Sequence, residues 1–142
     1  VTYIHSHFGV YALITNPKEK SLLLIKKARG PYTGMYDLPG GSPEPTELLE
    51  ETLYREVKEE TGCDIVDAQQ LGGISARFSY KKDSEDALLR HLGVIFDVKI
   101  SGTPKMEADG EDSNGCVWLE RDALNNKNAT PFVLEAIAKL KA

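Results

Sequence analysis

Residues 46–61 read as a helix, and that one segment constrains the rest of the chain. Leu49, Leu53 and Val57 recur at intervals of four, so at helical pitch they line up as a single apolar stripe. Thr46 is a residue type that caps helix N-termini, and Gly62 stands where a left-handed C-terminal stop belongs. Just upstream, Pro39-Gly40-Gly41 halts any strand begun at Tyr36, so the helix is entered from a glycine loop. An apolar stripe must be buried against something, and the neighbouring segments supply strands.

Phe8, Val10, Ala12 and Ile14 alternate along residues 8–15, which is strand periodicity. Leu22 to Ile25 is the continuous apolar run of a buried strand. Residues 26–35, with two glycines, a proline and three basic side chains, read as a loop. A short strand follows at 36–38. Residues 65–80 hold one or two strands, 81–86 a charged hairpin tip, and 91–100 a strand in which Leu92, Val94, Phe96 and Val98 alternate. A further strand is expected at 116–119, with a helical turn near 122–124. Thr130-Pro131 opens a closing helix whose Phe132, Val133, Ala136, Ile137 and Leu140 share a stripe. Several joins are too short for crossover helices, so the expected class is α+β around a mixed, largely antiparallel sheet.

A chain of 142 residues fits one domain, taken as 1–142, that covers both faces of such a sheet. The net charge of -5 argues against binding of extended nucleic acid, which needs a basic face. A small anionic substrate remains open if local charge or a metal overrides the global field. Cys63 and Cys116 have no ligand-like spacing; they make neither a disulfide framework nor a zinc site and suit a reducing cytoplasm. The start carries His5 and His7 and no apolar run, so no signal peptide is read there. No stretch is long enough to span a membrane, and no membrane partner is expected.

Chemistry concentrates at the end of the predicted helix. At about 100° per residue, Glu56, Glu59 and Glu60 fall on one side of it, within roughly a third of the circumference. Leu53 and Val57 lie on the adjoining side, so the carboxylates border the buried face. Three like charges at that spacing repel one another. A hard cation with oxygen ligands relieves the repulsion, and Mg²⁺ suits a few carboxylates completed by waters and substrate phosphates. The Pro39-Gly40-Gly41 loop, lacking β-carbons at two positions, can approach a phosphate or offer a carbonyl to the metal.

The run from Gly41 to Cys63 reads Gly, five residues, Glu47, seven residues, then Arg55-Glu56-Val57-Lys58-Glu59-Glu60-Thr61-Gly62-Cys63. This resembles the Nudix box. Seven positions demand one residue type each; at about 7% usage per type, a chance match is on the order of 10⁻⁸ per starting position. Cys63 departs from the aliphatic residue usual in the family, and as a small hydrophobe it should pack in that place. The preceding Leu38-Pro39-Gly40-Gly41 is also similar to the family, although Tyr36 stands where tryptophan is common.

The resemblance implies a loop-helix-loop active site on an α/β/α sandwich, cutting a pyrophosphate linkage in a small nucleotide-like substrate. It implies Mg²⁺ as cofactor, with Mn²⁺ able to substitute. Glu56, Glu59 and Glu60 would be metal ligands, joined by the backbone carbonyl of Gly40 in the Gly40-Gly41 loop. Glu56 is also a candidate base for the attacking water. Arg55 and Glu47 would orient these carboxylates. Many relatives pair as dimers, so a homodimer is a possible partner state.

Other residues admit plainer readings. A glutamate-rich helix is often only a solvated face, and Glu50 and Glu51 are assigned to one. Lys26, Lys27 and Arg29 are candidates for the outer phosphates, against the alternative of a solvated loop. Tyr80 is a candidate for stacking on a base, against cross-strand packing. Of the acidic loop (Glu107, Asp109, Glu111 and Asp112), Glu111 or Asp112 could add a metal ligand or base, since some relatives draw one from this region shortly before a tryptophan like Trp118. His5, His7 and His91 have no partners at ligand spacing and receive no role. Two other functions compete: a non-catalytic nucleotide-binding or regulatory module, which should lack one of the glutamates, and a diphosphate isomerase, whose cysteine neither Cys63 nor Cys116 matches.

Overall fold

The computed structural model describes residues 3–16, 18, 20–106 and 113–141. In chain order they form β1 (Tyr3–Asn16), β2 (Ser21–Lys27), β3 (Tyr36–Asp37), β4 (Gly40–Gly41), α1 (Leu49–Thr61), β5 (Asp64–Lys82), β6 (Glu85–Ser101), β7 (Ser113–Glu120), a 3₁₀ turn (Arg121–Ala123) and α2 (Pro131–Lys141). Strand order is β3-β2-β1-β6-β5, with β4 pairing β1 and β7 pairing β2 in a seven-stranded sheet. Among the described residues β1 and β6 run parallel, and the other strand pairs are antiparallel. The class is α+β, as the periodicities indicate.

Strand alternation divides the core in two. Val10, Ala12, Ile14, Leu23 and Ile25 point to one face, where Leu53 and Val57 of α1 pack on them. Tyr11, Leu13, Leu22 and Leu24 point to the other, under Phe132, Val133, Ala136 and Ile137 of α2. A period of two on the strands and a stripe on each helix thus produce a sheet sandwiched between two helices. Among the described residues no helix is long and apolar enough to cross a membrane.

Several boundaries differ from the sequence reading. β1 begins at Tyr3 instead of residue 8, because residues 3–8 pair in parallel with residues 87–92 of β6. The hairpin tip narrows to Asp83 and Ser84, whose φ values of 50° and 69° define a two-residue turn of the primed type that matches strand twist. Helix α1 starts at Leu49 with Leu48 as its N-cap, not Thr46. The cause is local: Glu47 folds back on Glu44 through two hydrogen bonds, so 44–47 form a turn before the helix opens. Glu51 then closes the helix start by accepting the Leu48 N–H at 2.8 Å. At the other end Gly62 adopts φ 79° and donates to the Lys58 carbonyl, as a left-handed stop should.

Candidate active site

The glycine loop is pinned to the sheet and to α1 together. Gly41 and Gly40 pair with Val10 and Tyr11, and the Ala12 N–H donates to the Pro39 carbonyl at 2.8 Å. From the helix side, Glu60 Oε1 accepts the Gly40 N–H at 2.7 Å. Gly40 has φ +149°, and a β-carbon there would stand 2.1 Å from the Val10 carbonyl oxygen. A β-carbon on Gly41 would lie 2.8 Å from Glu56 Oε1. Bare backbone is therefore what lets a carboxylate lie over this loop.

Arg55 holds the acidic groups in place. Its Nε and Nη2 donate to the two oxygens of Glu47 at 2.7 and 2.8 Å, a bidentate fork. Nη1 donates to Glu56 Oε1 at 2.8 Å and reaches Glu59 Oε2 at 3.4 Å, while Nη2 also meets the Ser42 carbonyl at 3.1 Å. One guanidinium thus ties the turn before the helix to two carboxylates on it. Glu47 also accepts from the Glu44 N–H and the Thr52 hydroxyl, and these bonds, Arg55's foremost, hold its carboxyl at about 2. Glu60 has the opposite environment. It is 6% exposed, and burial first, then neighbouring Glu56, push its carboxyl well above the usual range despite the Gly40 bond.

Glu56, Glu59, Glu60, Arg55, Gly40 and Gly41 line one cleft of about 580 Å³, and Arg29 and Lys27 line it from the β2–β3 side. Glu47 lies behind Arg55 and outside the cleft lining. Tyr80 does not line it either: its hydroxyl is 2.8 Å from Nε2 of His5, which does. Lys26 is exposed, near the Tyr36 ring. Trp118 packs with the core under α1. Glu107, Asp109, Glu111 and Asp112 lie outside the described residues.

Three carboxylates and a glycine loop form an all-oxygen donor set, which fits a hard divalent cation. Among the described residues no group of three or more His, Cys, Asp or Glu side chains is placed to hold a metal ion by itself.

The far wall of the cleft was not assigned from sequence. Asp37 is buried there, its Oδ1 accepting the Thr130 hydroxyl and the Leu38 N–H, each at 2.8 Å. Burial raises its carboxyl, partly offset by Lys27. Also in the cleft lining, His91 is held between the hydroxyls of Tyr11 and Tyr32. Burial first, then His7 and Lys27, lower the His91 imidazole to about 3, so it is neutral at physiological pH. A carboxylate in the short apolar strand and a histidine in a buried strand were the available signals. Both meant "inside", but neither spacing said beside what.

A mixed sheet between two helices, with a carboxylate helix closed over a glycine loop, defines a class of protein as well as a site. The family model for the NUDIX domain matches residues 5–140. An ADP-ribose pyrophosphatase of Methanocaldococcus jannaschii is 31% identical over 137 residues, covering 96% of this chain and 73% of that protein. Among solved structures, a MutT NUDIX hydrolase from Burkholderia pseudomallei is similar with a TM-score of 0.65 at 24% identity, covering 96% of this chain and 98% of the other. The NUDIX domain of Shewanella oneidensis NrtR, complexed with ADP ribose, gives a TM-score of 0.62 at 18% identity, covering 96% and 87%. The chain belongs to the Nudix hydrolase family.

Proposed function

We propose that this protein is a Mg²⁺-dependent hydrolase that cuts the pyrophosphate linkage of a nucleoside diphosphate joined to another group, with Mn²⁺ able to replace Mg²⁺. One observation carries the reading: Arg55 ties Glu47 to Glu56 and Glu59 beside the part-buried Glu60–Gly40 bond, and Glu56, Glu59 and Glu60 line a cleft that basic Lys27 and Arg29 also line. Negative and positive groups face each other there as a metal-bridged polyphosphate requires. The archaeal relative's name puts ADP-ribose first among substrates to test. Nucleoside triphosphates, oxidised ones included, and dinucleoside polyphosphates follow.

In this mechanism Glu56, Glu59 and Glu60, with the Gly40 carbonyl, would hold the cation. Bound Mg²⁺ would supply Lewis acidity toward phosphate oxygens and toward water. Lys27 and Arg29 meet the outer phosphates and keep the anhydride lengthwise in the cleft. As water attacks, its oxygen bonds to phosphorus while the bridging oxygen leaves, and its proton passes to a Glu56 carboxylate oxygen. Arg55, bonded to Glu56, keeps that carboxylate aimed, and Glu47 fixes Arg55 from behind.

The test is chromatographic. The protein is incubated with Mg²⁺ and ADP-ribose, canonical and oxidised dNTPs, dinucleoside polyphosphates and nucleotide sugars, beside Glu59→Gln and Glu60→Gln. Metal-dependent cleavage of one class, lost in both variants, is the expected result. Folded wild-type protein that binds Mg²⁺ and cuts nothing in the panel would sink the catalytic reading.

A further inference from the structure

His91 is 1% exposed, yet both of its ring nitrogens are used. Nε2 lies 2.6 Å from the Tyr11 hydroxyl and Nδ1 2.9 Å from the Tyr32 hydroxyl. The ring stacks on Phe132 at 3.8 Å between centroids, tilted by 9°. A neutral imidazole has one donor and one acceptor, so one tyrosine donates to it and the other accepts from it. The three side chains form a fixed chain across the cleft wall, and nothing in the hydrolytic steps uses it.

The two ends of this chain hold different parts of the site. Tyr11 lies against the glycine loop: a β-carbon on Gly40 would meet Tyr11 Cδ1 at 2.8 Å. Its ring occupies space left by two further glycines, Gly9 and Gly93, which face each other in the β1–β6 register. Tyr32 is the buried residue of the 28–35 loop, its ring 4.8 Å from Phe78. That loop carries Arg29, Gly30 and Pro31 into the cleft lining. Its backbone bonds close on itself or on its own ends: Thr33 to Gly30, Gly34 to Lys27, Met35 to Tyr32. The Tyr32 side chain ties this loop to the sheet wall, through its hydroxyl on His91 and its ring on Phe78.

We propose that His91 is a positioning residue, linking Tyr32 to Tyr11 so that the Arg29 loop is held at a fixed place relative to the Gly40 loop. The role rests on the hydrolase reading for its consequence, since Arg29 is useful only where it meets a phosphate. The link itself can be tested without turnover.

Tyr32→Phe removes one hydrogen bond and keeps the ring on Phe78; His91→Phe removes both and keeps an aromatic face on Phe132. Amide hydrogen exchange is measured for residues 28–35 and for α1, and kcat and KM are measured with whichever panel substrate is cut. Both variants should raise exchange at Gly34 and Met35 by about three- to ten-fold, the factor of the one hydrogen bond that each takes from Tyr32, with α1 unchanged. KM should rise by a similar factor while kcat stays within about two-fold. In an Arg29→Ala background Tyr32→Phe should add nothing further to KM, because the loop then has no cation to misplace. Unchanged loop exchange overturns the proposal, as does a kcat loss equal to the KM effect or full additivity with Arg29→Ala. If the wild type cuts no substrate, the hydrolase reading fails alone, and the exchange comparison still decides whether His91 holds the loop.

Discussion

At the scale of single residues, the two glycines of the loop do different work. A methyl group on Gly40 meets backbone, the Val10 carbonyl oxygen at 2.1 Å, and φ is +149°. Backbone cannot step aside cheaply, so Gly40→Ala should cost on the order of 1–3 kcal/mol and lower the thermal midpoint. A methyl group on Gly41 meets the far end of Glu56 at 2.8 Å, which can swing away. Gly41→Ala should therefore keep its melting temperature and lose about 10- to 100-fold in kcat as the carboxylate is displaced. Calorimetry beside steady-state kinetics separates them; equal effects of both substitutions on both readouts would show the distinction to be wrong.

At the scale of elements, α1 carries stability at one end and chemistry at the other. Its entrance is closed by Glu51 on the Leu48 N–H, an exposed bond away from the cleft. Glu51→Ala should cost about 0.5–2 kcal/mol in urea unfolding and leave kcat unchanged. Arg55→Lys replaces a planar fork with a point charge, which cannot serve Glu47, Glu56 and the Ser42 carbonyl together. Activity should fall about 10- to 100-fold, with weaker Mg²⁺ binding in titration calorimetry. A lysine variant with full activity would mean the guanidinium only bridges surface charge. The helix was legible in sequence because pitch, stop and carboxylate spacing are all local. Its first residue was misplaced because Thr46 looks like a cap, while Glu47, held by Glu44, Thr52 and Arg55, in fact sets the entrance.

At the scale of the whole molecule, the buried carboxyl of Glu60 would, in the proposed metal-binding role, couple cation binding to folding. Its pKa in the metal-free fold is raised above the ordinary 4.5, chiefly by burial. The folded chain then holds a proton that the unfolded chain releases, so stability contributed by this group falls as pH rises above that ordinary value. A cation needs the ionised carboxylate, and so competes with the proton in acid and replaces it in base. A fixed Mg²⁺ concentration should thus raise the melting temperature more at pH 8 than at pH 5. The same rise at both pH values would show that Glu60 does not ionise on binding.

What the sequence determined by itself was whatever depends on near neighbours. Strand alternation in residues 10–14, the pitch of Leu49, Leu53 and Val57, and the spacing from Gly41 to Glu60 each follow from backbone geometry over a few turns. They were enough for the sheet, both helices and the acidic end of the cleft. Only the tertiary structure decided the opposite wall. Tyr11 and His91, 80 residues apart, meet because β1 and β6 pair in parallel, and Tyr32 reaches His91 across 59 residues from the 28–35 loop. Asp37 meets Thr130 across 93 residues for the same kind of reason, the edge strand β3 and the start of α2 being brought together. No local period encodes such meetings, because hydrogen bonds and burial depend on distance in space and not on separation along the chain.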